Sequence, residues 1–338
     1  MSASKHERDV SDPLPTVSVV VPVYRSEPTL RELHRQLTEM MPGIASRYEI
    51  IFVEDCGGDG SWAVISDLAA SDDHVRGFRM SRNYGQHNAL LCAIRAAHYE
   101  LIVTLDDDLQ HPVSEIPRLL AALSPDIDVV YGTPQQEQHG LWRDFASRLT
   151  KFVLARAIGM DIAGSVSAFR VFRTRLRDGF RNYRSPTVSI DVLLTWATTR
   201  FGAIKVRHEP RRIGASGYTV GRLIRHAIDL LTGFSALPLQ IASVIGFTLV
   251  LFGISILAYV LVNYMIRGSA VPGFAFIASI VVIFSGAQLF ALGVIGEYLA
   301  RMHFRTMDRP SYLVSESVGA DVDSNGRIGA GRTEPDNV

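Results

Sequence analysis

Residues 101–112 read LIVTLDDDLQHP: an apolar run ends in three adjacent carboxylates, Asp106, Asp107 and Asp108, followed by Gln110, His111 and Pro112. A short apolar run bounded by turn-forming residues predicts a buried strand. Like charges at its end repel unless a cation offsets them. Hard divalent ions such as Mg2+ or Mn2+ take oxygen ligands and keep water and substrate phosphates in their shells, so the stretch predicts metal-assisted phosphate chemistry. In an extended backbone Asp106, Asp108 and Gln110 project to one side and Asp107 to the other. A solvated turn, with Ser114 capping the next helix, is the plainer alternative.

The segments on either side favour the first reading. Strand-like runs at 17–23 (VSVVVPV), 49–53 (EIIFV), 75–80 (VRGFRM), 101–105 and 128–131 alternate with apolar residues at helical spacing over 29–40, 62–70, 88–97 and 114–123. Near-continuous apolar strands alternating with helices predict an α/β fold, a mostly parallel sheet covered on both faces. Such sheets bind ligands at the carboxyl ends of their strands. Polar clusters fall at those ends: Pro22, Tyr24 and Glu27 after the first strand, Glu54 and Asp55 after the second, Arg82-Asn83-Tyr84-Gly85 after the third, and the three aspartates after the fourth.

Lys and Arg total 34 and Asp and Glu total 34, so the balance gives no sign of bulk nucleic-acid binding. Two cysteines, Cys56 and Cys92, form no framework and predict a reducing compartment without a disulfide. The charged first fifteen residues resemble no signal peptide and are expected to stay in the cytosol as a disordered N-terminus. Two runs, 241–262 and 271–296, carry no charged side chain and predict membrane spans over 237–266 and 271–300. Buried core helices are the alternative. A turn around 263–270 makes the pair a hairpin. Arg211, Arg212, Arg222 and Arg225 before it, and Arg301, Arg305 and Arg309 after it, outnumber Arg267 in the turn, which puts both flanks in the cytoplasm. Between them, residues 216–236 predict an amphipathic helix at the interface, with Val220, Leu223, Ile224, Ala227, Leu230 and Leu231 on one stripe. The segment 301–338 reads as a cytoplasmic tail, disordered from Ser315 onward.

PVYRSE, VEDCGGDGSW, SRNYGQHNALLCAI and TLDDDLQHP resemble the successive motifs of family-two glycosyltransferases with the GT-A fold. RNYGQH, DLQHPVSEIPRL and GAQLFALGVIGEYLAR are similar, more narrowly, to the bacterial polyprenyl-phosphate glycosyltransferases. That group includes undecaprenyl-phosphate glucosyltransferases, undecaprenyl-phosphate formamido-arabinose transferases and dolichyl-phosphate mannose synthases. The resemblance implies a Rossmann-like GT-A domain over 16–215, in the cytoplasm and tied to the bacterial inner membrane by the hairpin. It implies inverting transfer of one sugar from a nucleotide-sugar, UDP-linked in most bacterial relatives, to undecaprenyl or another polyprenyl phosphate, with Mg2+ or Mn2+ and membrane lipid as partners and a homo-oligomer, a tetramer, as the assembly.

Carried over by residue, the resemblance gives Pro22, Tyr24, Glu27 and Asp55 to the nucleoside, with Gly85 and Asp107 beside them. Asp108 and Gln110 hold the metal, and Asp106 contacts nucleotide and sugar. Arg143, Arg148 and Arg170 receive phosphates, Arg211, Arg212 and Ser216 lie near the donor diphosphate with Tyr218, and Asp191 lies near the sugar. Asp106, Asp108, Asp191 and Arg211 form the catalytic set. Three places depart from the pattern: Arg25 replaces an asparagine and is expected to be exposed and inert, Gly217 replaces a lysine, and the loop from Glu54 to Ser61 differs from the usual DDGS. A processive polysaccharide synthase and a catalytically silent nucleotide-sugar-binding scaffold remain as alternatives, the first disfavoured by the lack of a QxxRW motif and by having only two spans.

Overall fold

The structure, a computed structural model, describes residues 13–134, 165–185, 188–209, 237–267, 273–307 and 309–319. Arg143, Arg148, Arg211, Arg212, Ser216 and Tyr218, the expected interface helix and the outer parts of both termini lie outside the described residues. The chain divides into two compact units, Met1–Tyr218 with Arg309–Val338, and Thr219–Asp308.

In the first unit, strands β1 (Thr16–Val23), β2 (Arg47–Glu54), β3 (Val75–Met80) and β4 (Leu101–Thr104) alternate with helices α1 (Glu27–Met40), α2 (Ser61–Ser71) and α3 (Gln86–Ala96). Helix α4 (Ile116–Ala122) leads to β5 (Val129–Pro134), and β6 (Arg170–Arg173), α5 (Ile190–Ala197), β7 (Phe201–Val206) and β8 (Val314–Val318) complete the unit. One eight-stranded sheet runs β7-β5-β6-β4-β1-β2-β3-β8. The pairs among β1 to β4 are parallel, as is β5 with β7, whereas β6 runs antiparallel between β4 and β5 and β8 antiparallel along β3. This is the mostly parallel, GT-A-type sheet that the sequence implies.

Its central strands, β1 and β4 above all, are largely apolar because helices cover both faces. Val17, Val19, Val21 and Val23 of β1 join Leu30, Leu33 and Leu37 of α1 in one buried cluster, while Val20 joins Ile51, Val53 and the α3 residues Leu91 and Ile94 in the other. Each such side chain contributes about 1.5–3 kcal/mol of transfer free energy. The β1–β2 register ends at Val23 opposite Glu54, and Val20 lies opposite Thr104 of β4, so the loops after β1, β2 and β4 leave the sheet on one rim.

Two expectations are corrected. Ser315 to Val318 are ordered as most of β8, because an edge strand needs only one apolar face and so reads as polar sequence. Residues 263–267 of the expected turn instead belong to the first apolar helix, α6 (Leu237–Arg267), and the second, α7, runs Phe274–Thr306.

In the second unit α6 and α7 are long and apolar enough, over Leu239–Asn263 and Ile283–Ala300, to cross a membrane. They pack closely where a Cβ added at Gly253 would lie 2.8 Å from the Phe284 ring. Phe247, Leu251, Ile254, Leu289 and Leu299 are each more than half or about half exposed, an outward apolar surface that water would not stabilise.

Opposite the rim, Asp128 accepts from Thr198 Oγ1 (2.8 Å), Arg175 Nη2 (2.9 Å) and Arg200 Nε (2.9 Å). Burial alone would raise its pKa, but these donors outweigh burial and hold it below the ordinary carboxylate range. A depressed folded-state pKa gives stability that is present above the unfolded value of about 3.9 and lost as pH falls through the lower folded value. Asp128→Asn is therefore expected to lower stability at neutral pH and to flatten its fall in acid, measured by denaturant unfolding of the full-length chain from pH 7 to pH 3.

Candidate active site

The loop after β4 is not extended. The chain turns at Asp107–Leu109, with Leu109 left-handed at φ 60°, so the expected alternation of Asp106 and Asp108 against Asp107 gives way to three separate directions. Asp106 Oδ1 accepts from Gln86 Nε2 at 2.7 Å, at the first turn of α3. Asp107 Oδ2 accepts from Tyr24 N at 3.0 Å, after β1. Asp108 Oδ1 accepts from Gln110 N at 3.1 Å. Burial pushes the Asp107 carboxyl up, the Ser26 hydroxyl and Tyr24 N–H draw it back, and the charge on Asp108 raises it again. Asp107 therefore fastens the β1 loop, and all three aspartates stay partly exposed.

The other rim loops are stitched across strands as well. Asp55 is buried, with Oδ1 taking the N–H of Tyr84 and Oδ2 that of Gly85, both at 2.7 Å. Burial pushes its pKa up against these two bonds. Gly85 sits at φ 93° and ψ 153°, a region open essentially to glycine alone, so the turn into α3 needs that residue. Glu27 is exposed and accepts from Gly60 N at 3.1 Å, and Asp59 accepts from Glu27 N (3.3 Å) and Ser61 Oγ (2.8 Å). Pro22 is buried at the end of β1 and Tyr24 is 46% exposed. Arg25, expected to be inert, donates from Nε to Gly57 O at 2.9 Å and so bridges the loops after β1 and β2.

The positive-φ residues other than glycine, among those described, are Arg25 (57°), Cys56 (52°) and Leu109 (60°). Each lies in a rim loop. Left-handed backbone costs an ordinary residue about 1–2 kcal/mol, so the strain is concentrated at this edge of the sheet.

The chain leaving β7 is fixed to the same loop. Arg207 Nε donates to Glu115 Oε1 at 2.8 Å, His208 packs edge-on against His111 with centroids 5.1 Å apart, and Glu209 N donates to Gln110 O at 2.9 Å. Arg211 follows two residues later, outside the described residues. His111 is buried, lowered to about 4 by burial and then by His208, and its Nδ1 has no hydrogen-bond partner among the described residues.

Arg170 and Asp191 depart from the roles expected of them. Arg170 is 1% exposed, and its guanidinium is committed to Asp191 through Nη1 and to Thr104 Oγ1 through Nε at 3.1 Å. Asp191 also accepts from Tyr131 OH at 3.0 Å. The two charges neutralise each other beneath the rim, each committed to the other in this structure. Sequence reasoning missed Gln86, Asp59, Ser26 and Glu209 as rim residues; the first three lie within the quoted motifs, but each has a partner 20 or more positions away in the chain.

The donor set suits a hard cation. Among the described residues no three His, Cys, Asp or Glu side chains form a metal-binding group. The carboxylate of Asp108 and the amide oxygen of Gln110 are ligand types that Mg2+ would accept, with substrate oxygens and water completing its shell.

The family model described as "Glycosyl transferase family 2" matches residues 18–180. The undecaprenyl-phosphate 4-deoxy-4-formamido-L-arabinose transferase of Yersinia pestis (strain Pestoides F) is 31% identical over 319 residues, 94% of this chain and 98% of that protein. The protein of the same name from Proteus mirabilis (strain HI4320) is 33% identical over 307 residues, 90% of this chain and 94% of its own length. Among solved structures, the mannosyltransferase PcManGT from Pyrobaculum calidifontis, in complex with GDP-Man and Mn2+, is a distant likeness: 17% identity, TM-score 0.45, covering 85% of this chain and 87% of that one.

Removing one member of the buried pair strands the other. Asp191→Ala is expected to cost about 3–5 kcal/mol. Asp191→Asn keeps an oxygen for Tyr131 and Arg170 and should cost less. Chemical denaturation of the full-length variants measures both, and a large loss of turnover in Asp191→Asn at unchanged stability would restore Asp191 to the catalytic set.

Proposed function

The chain belongs to the polyprenyl-phosphate glycosyltransferases of glycosyl transferase family 2, and on that footing we propose that it moves one sugar, with inversion, from a UDP-linked donor to undecaprenyl phosphate or a related polyprenyl phosphate at the cytoplasmic face of the bacterial inner membrane. The observation that carries this reading is the convergence of four strand-end loops on Asp106 to Gln110. All four of those loops are cross-linked by side-chain bonds from Asp55, Asp107 and Gln86.

Tyr24, Glu27 and the Asp55–Gly85 turn form the side of the rim on which the nucleoside is placed. Pro22 and Asp107 act there as support, Pro22 by packing and Asp107 by fixing Tyr24. Asp106, held by Gln86, meets the donor between nucleotide and sugar. Asp108 and Gln110 would hold Mg2+ or Mn2+. A bound divalent ion supplies Lewis-acid stabilisation of the negative charge that gathers on the departing diphosphate. Arg211, Arg212 and Ser216 are proposed for that same diphosphate, and Arg143 and Arg148 for the lipid phosphate, where guanidinium forks can each take two oxygens.

The acceptor needs no strong base. A phosphate monoester has a second pKa of about 6 and is mostly dianionic at neutral pH, so it can attack the anomeric carbon as it stands. The enzyme's task is to gather several anions in line without letting their repulsion prevail. Membrane attachment through α6 and α7 is supported by their outward apolar side chains. The return of the chain from α7 to the first unit supports an even number of crossings, with both flanks on the catalytic side.

Two measurements test the reading. Full-length enzyme given radiolabelled UDP-sugars, Mn2+ and undecaprenyl phosphate should yield label extractable into organic solvent as a lipid-linked monosaccharide; label in an insoluble polymer, or none with any donor, would sink it. Excess EDTA and Asp108→Ala should each lower turnover at least 100-fold without changing the unfolding midpoint, and Mn2+ should reverse the EDTA effect alone. Full activity in chelator would remove the metal from the mechanism.

A further inference from the structure

After α7 the chain returns to the sheet, and residues 311–319 lie along the back of the rim. Ser311 Oγ accepts from Ser185 N at 3.2 Å. The Tyr312 ring lies 5.7 Å from the Arg95 guanidinium, against α3. Leu313 O accepts from Ser81 N at 2.9 Å. Strand β8 then pairs with β3 from Met80 opposite Val314 to Gly77 opposite Val318. Glu316 accepts from Arg79 Nη1 at 2.7 Å and from Trp62 Nε1 of α2 at 3.0 Å. Gly319 closes the segment at φ 97°, where an added Cβ would meet Val75 O at 2.4 Å.

Three of these contacts, those of Glu316, Leu313 and Tyr312, lead toward a rim loop. Arg79 Nε lies 3.4 Å from Glu54 Oε2, and the other oxygen of Glu54 takes Gly57 N at 2.5 Å. Ser81 begins the loop whose Tyr84 and Gly85 N–H groups Asp55 holds. Tyr312 backs the helix whose first residue, Gln86, donates to Asp106. We propose that residues 311–319 are a positioning element of the donor rim, with Glu316 and Tyr312 as its anchoring side chains, and that they hold the loops after β2 and β3 in the arrangement that binds the nucleotide. An edge strand that merely covers β3 would stabilise the whole sheet alike. A positioning strand acts on the loops it touches.

For its kinetic arm alone this inference rests on the glycosyl-transfer reading. Glu316 is half exposed, at 52%, so substitution there spares the core. In the full-length chain, hydrogen exchange should quicken about fivefold in residues 55–57 and 81–86 for Glu316→Ala and about tenfold for Glu316→Lys, which sets a cation beside Arg79. Glu316→Gln, which keeps an acceptor for Trp62 and Arg79, should stay near wild type. Amides of β1 and β4 should change less than twofold. The same order is expected in the KM for the UDP-sugar, with kcat and the KM for the lipid acceptor within twofold. Unchanged exchange in the rim loops, or acceleration spread evenly over β1 and β4, overturns the proposal. If the wild-type chain turns over no nucleotide-sugar, the functional reading falls, and the exchange series still decides the role of the strand.

Discussion

Three consecutive carboxylates at the end of a buried strand set the central constraint. Two unit charges about 4 Å apart repel by roughly 4 kcal/mol at the effective dielectric of a protein surface, so Asp106, Asp107 and Asp108 cannot all face one way without a counter-charge. The fold relieves this by turning the chain at Leu109 and giving each carboxylate a different donor: the amide of Gln86, the backbone of Tyr24 and the backbone of Gln110. None of the three bonds brings a full positive charge, and the pKa of Asp107 is still raised by its burial and by its neighbour. A divalent ion held at Asp108 and Gln110, as proposed above, would supply such a charge.

The same need explains why the rim is strained and the sheet is not. Left-handed backbone at Arg25, Cys56 and Leu109 aims three loops that adjacent parallel strands would otherwise send out side by side. The conformations persist because side-chain bonds over-determine them: Arg25 to Gly57 O, Glu54 to Gly57 N, and Asp108 to Gln110 N. Behind them stand two apolar layers whose members, such as Val19, Ile50 and Val103 on one face, are fully buried. An interior that does not yield lets the loops carry a few kcal/mol of local strain.

How far the sequence revealed this depended on which physical signal each part carries. Strands β1 to β5 and helices α1 to α4 were legible because burial on both faces leaves continuous apolar runs and helical spacing. β6 (RVFR), β7 (FGAIKV) and β8 (VSESV) were not, since each is short and mixes apolar with polar or charged residues. At the site, residue types were legible and partnerships were not. Asp107 meets Tyr24 across 83 positions, and Asp55 meets Gly85 across 30, distances that only strand register closes. Arg25 was read as inert because its substitution for asparagine hides the left-handed geometry that asparagine tolerates better.

Arg170 and Asp191 show most sharply what a linear reading lacks. Both sit in motif-like segments and both carry charge, so each invites a ligand; the fold instead spends them on each other. The β6 register sets Arg170 opposite Thr104 of β4 on one side and Tyr131 of β5 on the other, and Asp191 enters from the first turn of α5 to complete the row. As a source of stability such a pair is poor, because desolvation consumes most of the attraction. Its value lies in geometry. An antiparallel strand inserted among parallel ones could slip by a residue and reverse its faces, but a slipped β6 would bury an unpaired guanidinium. The penalty for the wrong register thus protects the right one, and the right one ends at Thr104, two residues before Asp106, so it fixes where the aspartate loop leaves the sheet.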